Sequence, residues 1–262
     1  MTNFQQPVVL SENFSTSNEK FRNVHKAILA KTRYFYPKKQ MQNIQAIFFD
    51  MDGVLIFSEP YWQEAERKIF REQFGIELTD EDVHKSTGLK TTEVVSMHSR
   101  NYGLNCDIES IGFEIEKEVI ATVYKQGKPM EGLKELTDWI REQGWRRCLV
   151  TSSSRYVLDN ILAFVGLTDF FERKFTAYDE LWGKPNPAVY LSAIDHIQIP
   201  KKNIIVIEDS SNGVKAAHAA GLKVIGLPEE YNFKNELYDS MILKSFHSHF
   251  EILEFLKSNQ SS

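Results

Sequence analysis

Cysteine is scarce in this chain: only Cys106 and Cys148 occur among 262 residues, far apart and in no CxxC or Cys/His spacing. That argues against a disulfide scaffold and against a zinc module. Long apolar runs are missing too, since no stretch reaches the ~18 consecutive apolar residues of a membrane-spanning helix. Met1 to Leu10 has neither the basic start nor the apolar run of a secretory signal. No internal repeat or low-complexity tract is present. Nor is there a basic excess, for the formal net charge is −5. What remains is a reduced, cytoplasmic, globular protein, long enough to bury a sizeable core without disulfides.

The charge is unevenly divided. Residues 1–40 carry Lys20, Arg22, Lys26, Lys31, Arg33, Lys38 and Lys39 against Glu12 and Glu19, a net +5, so the rest of the chain carries −10. A body this acidic argues against nucleic acid as a partner, and nothing in it calls for a membrane. It can hold an anion only through a local device: a metal, a lysine or a helix N-terminus. Residues 1–43 read as a poorly ordered leader, polar over Ser11–Glu19, then basic and partly periodic from Phe21 to Tyr36 until Pro37 stops any helix. Met41 is an alternative start, because folded-type sequence begins almost at once after it.

From Ile44 the pattern changes. Ile44–Phe49, Arg147–Thr151, Ile204–Ile207 and Lys223–Gly226 are short apolar runs of the kind buried strands have, with a fifth expected at Ser240–Leu243. Helical patterns separate the later ones, over Gly132–Gln143, Ser154–Val165, Pro187–His196 and Ser211–Ala220. Strands alternating with helices predict an α/β fold with a doubly wound, Rossmann-like parallel sheet. Between the first strand and Pro129 the reading is helical throughout: Tyr61–Phe74, Thr79–Ser86, Thr91–Tyr102 and Ile108–Lys125. The expected organisation is a leader over 1–43, a catalytic core over 44–60 and 130–262, and an inserted α-helical cap subdomain over 61–129.

In an open parallel sheet, ligands bind outside the carboxyl ends of the strands. Asp50 and Asp52 follow the first run, Thr151 and Ser152 end the second, and Glu208 and Asp209 follow the Ile204 run. Lys184 sits in the turn Trp182-Gly-Lys-Pro-Asn-Pro187, just before a helix. Residues i and i+2 of an extended chain face one side, so Asp50 and Asp52 can share a pocket. Carboxylates this close resist joint ionisation unless a cation neutralises them, and oxygen-only ligands favour a hard ion such as Mg²⁺. DxDG and EDS taken singly are common turns; both at strand ends, with a lysine and hydroxyls in step, point to a site. Mg²⁺ held by carboxylates leaves room for phosphate oxygens. Thr151, the backbone N–H groups from Ser152 onward and Lys184 supply donors to a phosphate. His84, His98, His196 and His218 fall at unrelated helix positions and read as surface or packing residues, and Cys148 as a small buried hydrophobe.

Asp50-Met-Asp-Gly-Val54, Thr151-Ser152, Gly183-Lys-Pro-Asn-Pro187 and Glu208-Asp-Ser-Ser-Asn-Gly-Val214 resemble, in order, the four motifs of the haloacid dehalogenase superfamily. The match runs from about Ile44 to the C-terminus. By that resemblance Asp50 is the nucleophile, and Asp52 protonates the leaving oxygen and later activates water. Asp50, the backbone carbonyl of Asp52 and Asp209 hold Mg²⁺, with Glu208 supporting or direct. Because most dehalogenases of the superfamily lack the second aspartate, Asp52 implies phosphoryl transfer. Leu55-Ile-Phe-Ser-Glu-Pro-Tyr-Trp62 resembles sugar and hexitol phosphate phosphatases, although Phe57 stands where they often have an aspartate. Trp62 stands where β-phosphoglucomutases usually carry a histidine, which favours hydrolysis. Thr87-Gly-Leu-Lys90 resembles the cap turn that reaches toward substrate, making Lys90 a candidate contact, with Glu59 and Trp62 weaker ones. The expectation is a monomeric Mg²⁺-dependent phosphatase of a small phosphorylated sugar or polyol. The alternatives are a β-phosphoglucomutase-type isomerase and a receiver-like phosphoacceptor module, the latter disfavoured by motif order and by the cap.

Overall fold

Every residue of β1 (Ala46–Phe49) is buried, because in the computed structural model it lies at the centre of a parallel sheet between β2 (Arg146–Thr151) and β4 (Ile204–Glu208). The structure describes residues 43–227 and 240–260. The leader expected over 1–43 therefore lies, but for its last residue, outside the described residues, as do residues 228–239. With β3 (Arg173–Thr176), β5 (Lys223–Gly226) and β6 (Lys244–Ser245), the six strands run in the order β3-β2-β1-β4-β5-β6, every pair parallel.

Strand geometry divides the core into two layers. Ile47, Phe49, Leu149, Ile205 and Ile207 point into one hydrophobic cluster, while Ala46, Phe48, Cys148, Ile204 and Val206 point into the other. Alternate side chains of a strand face opposite ways, so a sheet covered on both faces needs apolar residues at every position. That is why the strands read as continuous apolar runs. The first layer is covered by α5 (Leu133–Glu142), α6 (Arg155–Val165) and α9 (His249–Gln260), the second by α7 (Ala188–Ile197) and α8 (Ser211–Ala219).

Four helices occupy the chain between β1 and β2: α1 (Glu59–Phe74), α2 (Asp80–Ser86), α3 (Thr91–Tyr102) and α4 (Ile108–Gln126). Their local signals are clear. Thr79 and Asp82 form a reciprocal capping box at α2, the Asp107 carboxylate accepts from the Ser110 N–H at α4, and Gly75 and Gly103 end α1 and α3 in the left-handed conformation. Ile69, Phe70, Val95, Ile115 and Val119 pack between them. The outgoing and returning chains lie side by side: Ile56 bridges to Pro129, and the Met130 N–H donates to the Leu55 carbonyl at 3.0 Å.

Two strands depart from the expectation. The fifth strand expected at Ser240–Leu243 is mostly a turn; only its last residue bonds to β5, the Leu243 N–H donating to the Val224 carbonyl at 2.7 Å, and the strand itself is Lys244–Ser245, with Lys244 opposite Ile225. The apolar signal there came from packing, since Met241 and Ile242 close the second layer. β3 carries no apolar run because it is a sheet edge, where Arg173 is exposed and Lys174 and Phe175 are only half-buried. No helix among the described residues is long and apolar enough to cross a membrane.

Candidate active site

The carboxyl edge of the sheet gathers Asp50 from the end of β1, Thr151 from β2 and Glu208 and Asp209 from β4. Lys184 reaches in from the loop before α7 and is 1% exposed. Its Nζ donates to Asp50 Oδ1 at 3.0 Å, to Glu208 Oε1 at 2.5 Å and to the Val150 carbonyl at 3.1 Å. Tyr190, on the first turn of α7, is also fully buried. Its hydroxyl donates to Glu208 Oε1 at 2.6 Å, and its ring lies 5.2 Å from the ammonium.

Asp50, Glu208 and Asp209 can each offer an oxygen so that all three lie within 4.8 Å of one another. Burial, reinforced by Glu208, pushes the Asp50 carboxyl up to about 8 despite Lys184. Burial acts to lower Lys184, but Asp50 and Glu208 outweigh it and hold the ammonium above its ordinary range. Three carboxylates against one ammonium leave a formal excess of two negative charges, the complement of a divalent cation. All donors are oxygens, as a hard ion requires. Two glycines make the space. A Cβ on Gly53, which sits at φ +68°, would fall on the Asp209 carboxylate, and one on Gly213 would fall on that of Glu208.

The Asp52 carboxylate lines the same cleft but is held elsewhere. Oδ1 accepts from Ser58 Oγ at 2.6 Å and from Trp62 Nε1 at 2.8 Å, and Oδ2 from Ser153 Oγ at 2.7 Å. The resemblance gives Asp52 a part in metal binding through its backbone carbonyl alone, and its side chain is not one of the three that form the acidic cluster. Thr151 is buried and its Oγ1 accepts from the Ser153 N–H at 3.0 Å. Ser152 Oγ donates across the cleft to the Gly88 carbonyl at 2.8 Å.

The insert closes the other side with Glu59, Trp62, Thr87, Gly88, Leu89, Thr91 and Val94. Asn212 Nδ2 donates to the Thr87 carbonyl at 3.0 Å, the Gly183 N–H to Glu93 Oε1 at 3.1 Å, and Ser154 Oγ to Glu116 Oε2 at 2.6 Å. The space left in the cleft is about 50 Å³, room for a few waters. Lys90, expected to contact substrate, is not among the residues that line the cleft. It lies 3.6 Å from Glu93 and donates to the Glu180 carbonyl at 3.5 Å. Glu59 does line the cleft, accepting from Thr87 Oγ1 at 2.7 Å; burial raises its pKa. Phe57, beside the buried Ser58, is 44% exposed. Sequence reasoning missed Ser58, Ser153 and Tyr190. The serines had a signal, six residues after Asp52 and within the run Thr151–Ser154; a tyrosine one turn into an apolar helix had none.

A parallel α/β sheet with a helical insertion after β1, and a lysine among carboxylates at its carboxyl edge, defines a hydrolase of the haloacid dehalogenase type. The family model for haloacid dehalogenase-like hydrolases matches residues 47–227. The chain belongs to that family and is an enzyme of the phosphoric monoester hydrolase class. Hexitol phosphatase B of Escherichia coli K12 is 29% identical over 192 residues, 71% of this chain and 85% of that protein. A phosphorylated carbohydrates phosphatase of Thermotoga maritima is 27% identical over 183 residues, 70% of this chain and 84% of that protein. In fold the chain resembles CbbY of Rhodobacter sphaeroides crystallised with phosphate, with a TM-score of 0.71 at 22% identity, covering 80% of this chain and 96% of that one.

Proposed function

We propose that this protein is a Mg²⁺-dependent phosphatase that hydrolyses a small sugar or polyol phosphate through a phosphoryl group carried on Asp50. The observation that carries the reading is the buried knot of Asp50, Lys184, Glu208 and Asp209 at the sheet edge, two negative charges in excess. Asp50, Glu208 and Asp209, with the carbonyl of Asp52, would hold Mg²⁺. The ion would supply charge neutralisation between the anionic nucleophile and the anionic phosphate.

Asp50 attacks phosphorus, and the bond to the ester oxygen breaks as Asp52 gives that oxygen a proton. Water then gives a proton to Asp52 and attacks phosphorus, breaking the bond to Asp50 and releasing inorganic phosphate. One difficult displacement is thereby split into two, and one carboxyl serves both halves as acid and then base. Lys184 orients Asp50 and offsets its charge, while Thr151 and the backbone N–H of Ser152 donate to the phosphate. The helical insert acts as a cap. The present cleft is too small for a sugar phosphate, so the cap opens to admit substrate and closes to exclude water.

The polyol assignment draws on the hydroxyl-rich wall of Ser86, Thr87 and Thr91, and on the substrates named for the related hexitol and carbohydrate phosphatases. A phosphate-release screen across sugar and hexitol phosphates, with Mg²⁺ and with chelator, tests the reading. Release from a sugar or hexitol phosphate that stops on chelation is expected. No release from any of them, or release indifferent to chelation, overturns it. Free phosphate rather than an isomer from hexose 1-phosphate separates it from a mutase.

A further inference from the structure

The first turn of α1 does something unusual with its serine. Ser58 is the N-cap residue, where a serine hydroxyl ordinarily accepts from a backbone N–H of the new helix. Here it makes no such cap bond; the fully buried hydroxyl instead donates to Asp52 Oδ1. Trp62, four residues on and therefore on the same helix face, donates its indole N–H to the same oxygen at 2.8 Å. The other oxygen, Oδ2, is held by Ser153 at the end of β2. One carboxylate thus spans the two parts of the molecule, with the insert on one oxygen and the core on the other.

We propose that Trp62 is a positioning residue for proton transfer: its N–H, delivered by the seating of α1, fixes the direction in which the Asp52 carboxyl faces the ester oxygen. This rests on the reading of Asp52 as the proton donor. Ser58 lies just before α1, two residues after the point where Ile56 bridges to the returning chain at Pro129. Trp62 lies on the helix itself and leaves Asp52 when α1 leaves. Of the three donors, it is the one that ties Asp52 orientation to cap position. An indole N–H donates only, so it holds the carboxylate without competing for the transferred proton.

Leaving-group dependence tests this. A hexitol phosphate must expel an alkoxide and needs the proton, whereas p-nitrophenyl phosphate expels a stable phenolate and does not. In single-turnover measurements of the first step, Trp62→Phe keeps a ring and removes the N–H. It is expected to slow hexitol phosphate cleavage by about 10- to 100-fold more than p-nitrophenyl phosphate cleavage. Trp62→His, which restores a ring N–H, should recover part of that difference. Equal slowing of both substrates by Trp62→Phe, or no slowing, overturns the proposal. Asp52→Asn is the reference. If it too slows both substrates equally, the reading of Asp52 as proton donor fails; if it discriminates and Trp62→Phe does not, only the role of Trp62 fails.

Discussion

The sheet edge and the helical insert face each other across one cleft and contribute different things to it. The edge supplies charge: Asp50, Lys184, Glu208 and Asp209 are all buried and cross-linked within one small volume. The turn and helix start of the insert that face it, Thr87, Gly88, Leu89, Thr91 and Val94, are neutral. The two sides are joined by hydrogen bonds in which a serine, an asparagine or a backbone N–H of the core meets a carbonyl or carboxylate of the insert. The edge is built to do chemistry on an anion, and the insert to cover and orient it. Changes at the edge should therefore be far more damaging than changes of similar size in the insert.

The largest effect is expected at the nucleophile. Asp50→Asn should lower phosphate release by roughly 1,000-fold or more with an unchanged circular dichroism spectrum. Next comes Lys184→Met, which leaves the acidic cluster uncompensated. It should cost about 3 kcal/mol of unfolding free energy in chelator, and added Mg²⁺ should restore more stability to this variant than to the parent.

A smaller effect lies in the core away from the cleft. His249, at the start of α9, is fully buried, and burial pushes its pKa down to about 4. The unfolded chain binds a proton near the ordinary 6.5 while the folded one does not. Its contribution is therefore full above pH 6.5 and is lost as pH falls toward 4. Urea midpoints across that window should fall less steeply for His249→Asn, by on the order of 3 kcal/mol in total. The smallest effect belongs to the insert: Lys90→Ala should cost about 1 kcal/mol of stability or less and leave KM within about twofold. A tenfold rise in KM would return Lys90 to the substrate and blur the contrast between the two sides.

The same contrast governs what the sequence reveals. Asp50, Asp52, Glu208 and Asp209 are legible because strand ends of a parallel sheet converge, so residues distant in sequence meet wherever polar types follow apolar runs; Lys184 is legible only from its Gly-Lys-Pro turn before a helix. The second sheet layer, with Ala46, Phe48 and Cys148 inside, follows from the same runs. The insert is harder. Its helices are plain from their periodicity, but which face meets the core depends on seating that no local pattern encodes. Lys90 is accordingly expected at the substrate and found on Glu93 and Glu180, while Trp62, a weak candidate in the sequence, touches Asp52. β3 was missed for a simpler reason, since an edge strand need not be apolar.

The central claim is that Asp50 carries the phosphoryl group. Rapid acid quench of the enzyme during turnover of a ³²P-labelled sugar phosphate in Mg²⁺, followed by peptide mapping, addresses it directly. The account predicts transient label on the peptide containing Asp50, absent from Asp50→Asn. Sustained turnover with no labelled peptide at any quench time, or label on a different residue, would contradict it.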